Sequence, residues 1–96
     1  MAQIVWTIQS TYDLENIFHY ISKDSVKYAW IQITRIRDRI KDLKKYPESG
    51  RIVPEVGDVF LREVISGNYR LIYRLKTKDL IEIVTIHHSA KQLKLD

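Results

Sequence analysis

A single amphipathic period between residues 26 and 43 is the strongest constraint on how this chain folds. Apolar residues recur there at steps of three and four positions: Val26, Ala29, Trp30, Ile33, Ile36, Ile40 and Leu43. This spacing places them on one side of an α-helix, with charged residues on the other side. Pro47 ends the pattern, because the residue before a proline avoids helical backbone angles. The apolar stripe has to be buried against a second layer of structure.

The preceding residues predict a strand and a first helix. In residues 3–8 the positions of Ile4, Trp6 and Ile8 alternate with those of Val5 and Thr7, which predicts a short first strand. A second helical stripe follows, formed by Leu14, Ile17, Phe18 and Ile21. Ser10, with Asp13 three residues later, predicts a capping-box-like start for this helix, and Asp24 or Ser25 can cap the next helix.

Three β-rich runs complete the chain, over residues 59–65, 69–75 and 80–88. Gly67-Asn68 joins the first two runs and is a hairpin signal, because both residues tolerate positive φ. The predicted order is β-α-α-β-β-β. This order predicts an α+β fold in which two N-terminal helices pack on one face of an antiparallel sheet. Residues 1–96 form one domain, since the chain is too short for a second core.

With tight symmetric turns, the two faces of the sheet differ in polarity. The face predicted to pack on the helices carries apolar residues: Val64, Tyr69, Leu71, Tyr73, Leu75, Val84 and Ile86. The opposite face is predicted to be the working surface and carries Arg70, Ile72, Ile81, Ile83, Arg74, Thr85 and His87. In this register His87 shares a face with Arg70 and His88 does not.

Composition narrows the classes of function. Hydrophobic residues make up 45% of the 96 residues, and ten residues are aromatic, which excludes a disordered chain of low hydrophobicity. The absence of cysteine excludes a disulfide framework and a thiolate metal site. A net charge of +4 favours an acidic partner, either nucleic acid or protein. No basic-then-apolar N-terminus and no long apolar run is present, so we expect neither a signal peptide nor a membrane span.

A long loop and three strand arginines are the candidate functional features. The loop of about a dozen residues after the second helix begins Pro-Glu-Ser-Gly-Arg-Ile-Val-Pro-Glu, residues 47–55, and carries Glu55. Loops of this length in a small domain are often functional. The hairpin that follows carries Arg62, Arg70 and Arg74. Arginines on strands present rigid planar forks that match phosphate and carboxylate groups.

Together these motifs resemble the RelE/ParE family of toxins from type II toxin–antitoxin systems. The resemblance covers nearly the whole chain and rests on Ser49-Gly50-Arg51-x-x-Pro54-Glu55, on Tyr69-Arg70-Leu71-Ile72-Tyr73, and on the ending His88-Ser89-Ala90-Lys91-Gln92-Leu93. It implies a cytoplasmic toxin, without cofactor or metal, held inactive in a hetero-oligomer with its antitoxin. The residues it implies for contact with the target or with nucleic acid are Arg51, Arg62, Arg70, Arg74 and Lys91.

The resemblance leaves the mechanism open between branches. RelE-like members are ribosome-dependent mRNA endoribonucleases that need no metal. In that branch Glu55 matches the general base, Arg70 the phosphate-binding arginine and His88 the C-terminal histidine. Such nucleases often carry tyrosine after the histidine, whereas this chain has Ser89. The ending and the Gly50-Arg51 motif are closer to the ParE branch, which inhibits growth through a protein target such as DNA gyrase. A non-toxic member that only binds its antitoxin is the third alternative.

Each candidate also has a purely structural interpretation. Glu55 can be a solvated carboxylate or an ion-pair partner, and the arginines can pair with Glu63 and Glu82. His88 can close a strand without acid–base chemistry, and a bulge or an off-sheet tail is needed to bring it to the face of Arg70. Adjacent histidines point to opposite sides of a strand, which disfavours a shared metal ion. Both tryptophans fall in apolar stripes and are predicted to be core residues.

Overall fold

A computed structural model describes residues 1–95 and has an α+β fold in two layers. Its elements are β1 Gln3–Trp6, α1 Ile8–Ser22, α2 Val26–Lys41, a 3₁₀ turn Asp42–Lys44, β2 Arg51–Ile52, β3 Leu61–Ser66, β4 Tyr69–Thr77 and β5 Leu80–His88. The strands form one sheet in the order β1-β5-β4-β3-β2. The predicted α+β fold, with two N-terminal helices packed on one face of a sheet, is confirmed. None of the helices in this described part is long and apolar enough to span a membrane.

The sheet departs from the prediction at both edges. The strand β1 pairs with β5 in parallel, so the sheet is not wholly antiparallel. Parallel pairing is possible because the two helices form a long connection between β1 and the rest of the sheet. A short strand that the sequence did not predict, β2, adds to the other edge, where Arg51 pairs with Glu63 and Ile52 with Arg62.

The helices begin at side-chain caps, one of which the sequence misplaced. Thr7, not Ser10, caps α1, and its hydroxyl accepts a hydrogen bond from the Ser10 backbone N–H at 3.0 Å. Ser10 is itself buried and donates its hydroxyl proton to the Thr7 carbonyl. Thr7 takes this role because its backbone is still extended where β1 ends. Ser25 caps α2, as predicted.

The main core lies between the helices and the sheet. Its buried apolar members are Ala2, Leu14, Ile33, Ile36, Ile40, Leu43, Val64, Tyr69, Leu71, Tyr73, Ile81, Ile83 and Ile86. Val26 and Trp30 belong to the predicted stripe but are more than half exposed, so the prediction that Trp30 is a core residue is wrong. Both lie in the first turns of α2. The Trp30 ring meets the Phe18 ring edge to face, at 4.7 Å between ring centroids.

A bulge in β5 changes which residues face the helices. The register runs from Ile72 opposite Thr85 directly to Tyr73 opposite Ile83, so Val84 is the extra residue. An extra residue breaks the simple alternation of side chains, so the segments on its two sides cannot both follow one alternating pattern. Ile81 and Ile83 therefore join the helix-side core, and Val84 lies on the other face, the reverse of the prediction. The symmetric register could not reveal this, because the bulge has no sequence marker.

After the bulge the side chains lie on their predicted faces, with Arg70 opposite His87 on the side away from the helices and Leu71 opposite Ile86 on the helix side. We call the side of the sheet away from the helices the open face. A small apolar cluster is buried there, formed by Val53, Leu61 and Ile72 with Val84 and Leu93 packed against it. This cluster supports the charged residues described next.

Candidate functional site

Arg70 is the centre of a group of ion pairs on the open face. Its side chain is only 10% exposed, and its Nε donates to Glu63 Oε1 at 2.6 Å. Its two Nη atoms donate to the two carboxylate oxygens of Glu55, at 2.6 and 2.7 Å. This fork-to-fork arrangement is the strongest geometry for an arginine–carboxylate pair. Arg70 is therefore bound on two sides by carboxylates of its own chain.

Glu63 links Arg70 to a second arginine. Its side chain is fully buried, and its other oxygen, Oε2, accepts from Arg51 Nε at 2.5 Å. The strand pairing explains the Arg51–Glu63 contact, because Arg51 on β2 lies directly opposite Glu63 on β3. Glu63 in turn lies opposite Ile72 on β4, which places its side chain on the open face. We call Arg51, Glu63, Arg70 and Glu55 the charged cluster. Two positive and two negative side chains make it neutral as a whole.

A tight turn places Glu55 over the end of Arg70. The turn is held by Val53, which is buried and whose carbonyl accepts from the N–H groups of Val56 and Gly57. Gly57 has φ of 74°, a left-handed conformation that glycine adopts at little cost. Glu55 itself remains 43% exposed. Its position is thus fixed by the turn and by Arg70, and its carboxylate still meets solvent.

The ion pairs set the protonation state of Glu55. Hydrogen bonds from Arg70 lower the pKa of Glu55 from 4.5 to about 2. The hydrogen bonds that Arg70 donates to Glu55, and secondly to Glu63, raise the pKa of Arg70. A general base works best with a pKa near the working pH. Glu55 in this geometry is a fixed anion and a weak base.

The Gly50 motif has a steric basis that the sequence alone did not reveal. The buried Tyr73 hydroxyl donates to the Pro47 carbonyl at 2.7 Å and accepts from the Gly50 N–H at 2.9 Å, and burial raises its pKa. A Cβ atom at Gly50 would lie 2.6 Å from both the Glu63 carbonyl oxygen and the Tyr73 hydroxyl. Glycine is therefore required where the loop crosses Tyr73, immediately before Arg51.

The other two hairpin arginines do not join the charged cluster. Arg62 lies opposite Tyr73 and so points to the helix side of the sheet, away from Arg70. Its Nε donates to the Val59 carbonyl at 2.8 Å, and its Nη1 donates to the Gly50 carbonyl at 3.1 Å. It therefore fastens the loop. Arg74 forms a looser, part-exposed pair with Asp58 at 3.5 Å.

The two histidines lie on opposite sides of β5. His88 is opposite Tyr69, a residue of the helix-side core, and their rings meet edge to face at 5.4 Å between centroids. His87 is opposite Arg70, and its Nε2 lies 2.8 Å from the carbonyl oxygen of Lys91 in the exposed tail. The structure thus brings Glu55 and Arg70 together and leaves His88 on the other face. The bulge at Val84 does not alter this, because it lies before both histidines.

Glu63 is the residue whose importance the sequence least revealed. The sequence indicates only that Glu63 is a possible partner of the strand arginines, whereas in the structure it bridges Arg70 and the loop residue Arg51. Glu82, the other such candidate, lies 4.0 Å from Lys76 rather than pairing with an arginine. A charged residue between Leu61 and Ile65, at a position where alternation predicts burial, is the available signal. Among residues 1–95, no group of three or more His, Cys, Asp or Glu is placed to hold a metal.

Comparisons with known proteins give the family. Residues 4–93 match the model of the ParE toxin of the type II toxin–antitoxin system parDE. The chain is also 33% identical over 91 residues to Toxin RelE2 of Caulobacter vibrioides, covering 95% of this chain and 99% of that protein. This chain belongs to the ParE toxin family. The resemblance to RelE/ParE toxins is thereby confirmed, and a family of this kind implies a cognate antitoxin as partner.

Solved structures agree in fold. A chain from the chromosomal ParDE system of P. aeruginosa has a TM-score of 0.75 at 22% identity, over 92% of this chain and 96% of that one. A YoeB/ParE toxin from Agrobacterium tumefaciens has a TM-score of 0.62 at 19% identity, over 92% of this chain and 98% of that one. At these identities the likeness concerns the fold alone. The chain is thus a type II toxin by family, and its target is a separate question.

Proposed function

We propose that this ParE-family toxin inhibits growth in the cytoplasm by binding a protein target such as DNA gyrase. Its antitoxin holds it inactive in a hetero-oligomer until the antitoxin is lost. The observation that carries the proposal is the bidentate Arg70–Glu55 pair, supported from below by Glu63. This pair occupies the two groups that a messenger RNA nuclease of the RelE type would need for base and phosphate chemistry.

Base catalysis is unfavourable in this arrangement. A base that activates a ribose 2′-hydroxyl has to accept a proton near neutral pH. The pKa of Glu55, lowered to about 2 by Arg70, leaves it little tendency to do so. Its two oxygens are also already occupied by hydrogen bonds from one guanidinium.

Acid catalysis and phosphate binding are unfavourable as well. A general acid has to lie within hydrogen-bond reach of the leaving group. His88 stands opposite Tyr69, on the other side of the sheet from Arg70. A phosphate would also have to displace Glu55 from Arg70, within a cluster whose charges already balance. These three features together support a toxin that acts by contact.

The nuclease remains the second candidate, and one contact favours it. Glu55 and Arg70, far apart in sequence, are adjacent in space as a base and a phosphate-binding residue would be. A 33%-identical relative also carries the name Toxin RelE2. For this reading Glu55 would have to leave Arg70 when substrate binds, and the C-terminal segment would have to bring His88 to the open face.

Induced expression without antitoxin distinguishes the candidates. We expect growth arrest with altered plasmid supercoiling and an induced DNA-damage response, while full-length transcripts persist. Glu55→Gln should arrest growth as wild type does, because a contact inhibitor needs no base at this position. Arrest with ribosome-phased transcript cleavage, abolished by Glu55→Gln and His88→Gln in folded protein, would establish the nuclease instead. A folded toxin that binds its antitoxin and leaves growth unaffected would indicate the non-toxic alternative.

A further inference from the structure

A cleft of about 760 Å³ lies at the end of the sheet where β4 is longer than its neighbour β3. Pairing between these strands ends with Leu61 opposite Arg74, whereas β4 continues to Thr77. The Leu75 N–H still donates to the Phe60 carbonyl at 2.8 Å, but no β3 residue lies beside Thr77. The residues that line this end cleft are Tyr46, Pro47, Glu48, Ser49, Phe60, Leu75, Lys76, Thr77 and Lys78.

Two aromatic side chains that stand in solvent form the walls of the end cleft. Tyr46 and Phe60 are each 59% exposed, on segments separated in sequence and facing the same space. The Phe60 backbone is held on both sides, because its N–H binds Asp58 Oδ1 at 2.8 Å and its carbonyl binds Leu75. The ring is thus presented by a fixed backbone and not by packing in a core. Aromatic groups exposed in this way are typical anchors of protein interfaces.

The rim of the end cleft is basic. Lys76 and Lys78 line it, and Lys45 lies above the Tyr46 ring, with its Nζ 5.7 Å from the ring centroid. Lys76 has only a loose contact with Glu82, at 4.0 Å. Glu48 is the acidic residue among those that line the cleft in the described chain. Three lysines against this one carboxylate leave the rim net positive, which favours an acidic partner.

We propose that the end cleft binds an extended acidic segment of the toxin's protein target, which places an apolar side chain between Phe60 and Tyr46. This rests on the proposed function to the extent that the target is a protein. An extended segment fits because the unpaired end of β4 leaves main-chain groups beside the cleft, the geometry used when a peptide lengthens a sheet. Acidic residues on the segment would meet Lys76 and Lys78. The charged cluster, already neutral, would not compete for them.

A peptide titration tests the chemistry of the cleft. The probe is a short synthetic peptide with aspartate and glutamate on both sides of a central phenylalanine, and binding to the purified chain is followed by NMR. We expect shifts confined to the end cleft and weaker binding at high salt. Phe60→Ala should weaken binding at least about tenfold. Tyr20→Ala, which truncates a more exposed aromatic on α1, is the matched control and should leave binding unchanged.

Three outcomes would overturn the proposal at this stage. One is the absence of binding by the acidic peptide. Another is equal binding by the same peptide with lysines in place of its acidic residues. The third is preferential binding of a single-stranded RNA oligonucleotide at Phe60 and Tyr46. Both aromatic variants should remain folded by circular dichroism, because each removes a side chain that is more than half exposed.

Antitoxin co-purification and growth inhibition together show whether the end cleft binds the target or the antitoxin. Folded Phe60→Ala should still co-purify with the antitoxin and should lose growth inhibition, whereas Tyr20→Ala should keep growth inhibition. Loss of antitoxin binding by Phe60→Ala would overturn the proposal, because the cleft would then belong to the antitoxin. Unchanged growth inhibition would overturn it too. Plasmid supercoiling and transcript integrity test the proposed function independently of the peptide titration. Transcript cleavage would refute inhibition through a protein target, whereas the titration would still report whether the end cleft binds an acidic peptide.

Discussion

The two faces of the sheet are stabilised by different interactions. The helix-covered face buries a large apolar cluster in which Ile36, Leu71 and Ile83 are almost without solvent exposure. The open face buries a smaller apolar cluster and, above it, the ion pairs of Arg70 with Glu63 and Glu55. Apolar burial has no preferred direction and depends on area and packing. Ion pairs under partial burial depend on every partner being present.

This difference indicates how each face constrains the sequence. On the helix side, any apolar residue of suitable volume can maintain the core. On the open face, a charge cannot be removed singly, because its partner would remain buried and unpaired. The open face therefore depends on particular charge partners, whereas the helix side depends on packed volume. The following measurements compare the two faces directly.

The largest effect is expected from truncation in the helix-side core. Ile36 is fully buried, so Ile36→Ala should lower the free energy of unfolding by about 3–5 kcal/mol, through lost transfer energy and the cavity left behind. Urea unfolding of the purified chain measures this. The conservative Ile36→Val should cost only about 0.5–1.5 kcal/mol. A loss below about 1 kcal/mol for the alanine variant would show that the core refills the space.

Removal of the central carboxylate on the open face should come next. Glu63→Gln keeps the shape of the side chain but leaves Arg51 and Arg70 without their buried counter-charge. We expect a loss of about 2–3 kcal/mol, at the low end for a broken buried pair because the amide oxygen still accepts a hydrogen bond. Glu55→Gln is the matched control on the same arginine and should cost much less, since Glu55 is half-exposed. If Glu63→Gln and Glu55→Gln lowered the free energy of unfolding equally, burial would not explain the difference expected between the Arg70–Glu63 and Arg70–Glu55 pairs.

Substitution of Gly50 or Gly57 by alanine should lower the free energy of unfolding, for a different physical reason at each position. Gly50→Ala would force a Cβ against the Glu63 carbonyl and the Tyr73 hydroxyl, so it should cost about 1–3 kcal/mol by overpacking. Gly57→Ala meets no neighbour within 4 Å but would hold alanine at φ of 74°. It should cost about 1–2 kcal/mol from backbone strain alone. Urea unfolding with Tyr73→Phe as background tests this, because removal of the hydroxyl should relieve part of the Gly50→Ala cost and none of the Gly57→Ala cost.

The sequence predicted the fold well because its periods are unambiguous. The α2 stripe, the Ser25 cap, the Gly67-Asn68 hairpin and the residues of β5 are all confirmed. Local signals of this kind carry the information that sets each element. The bulge at Val84 and the parallel edge strand were missed, because they depend on how distant segments meet and not on a local pattern.

The candidate site was predicted less completely. The sequence motifs indicate Arg70 and Glu55, and the structure places these two residues in contact. Their state could not be predicted, because it depends on Glu63, whose burial and double pairing arise from the pairing of three strands. Whether these residues act on a target stays a prediction. The face of His88 followed from simple alternation, and the structure keeps that alternation in the last residues of β5.

The smallest expected effect is a pH dependence that belongs to Glu55. Its pKa is lowered from 4.5 to about 2 by hydrogen bonds from Arg70, so the unfolded chain binds this proton more readily than the folded chain does. The Arg70 pair should therefore contribute fully to stability above a pH of about 4.5 and lose that contribution progressively as the pH falls toward about 2. Urea midpoints of wild type and Glu55→Gln should differ most near neutral pH and converge in acid. The other carboxylates titrate in both wild type and Glu55→Gln, so their contributions largely cancel when the two urea midpoints are subtracted. A difference that stays constant down to a pH of about 3 would mean that the pair does not set the protonation of Glu55, and the case against its acting as a base would lose its main support.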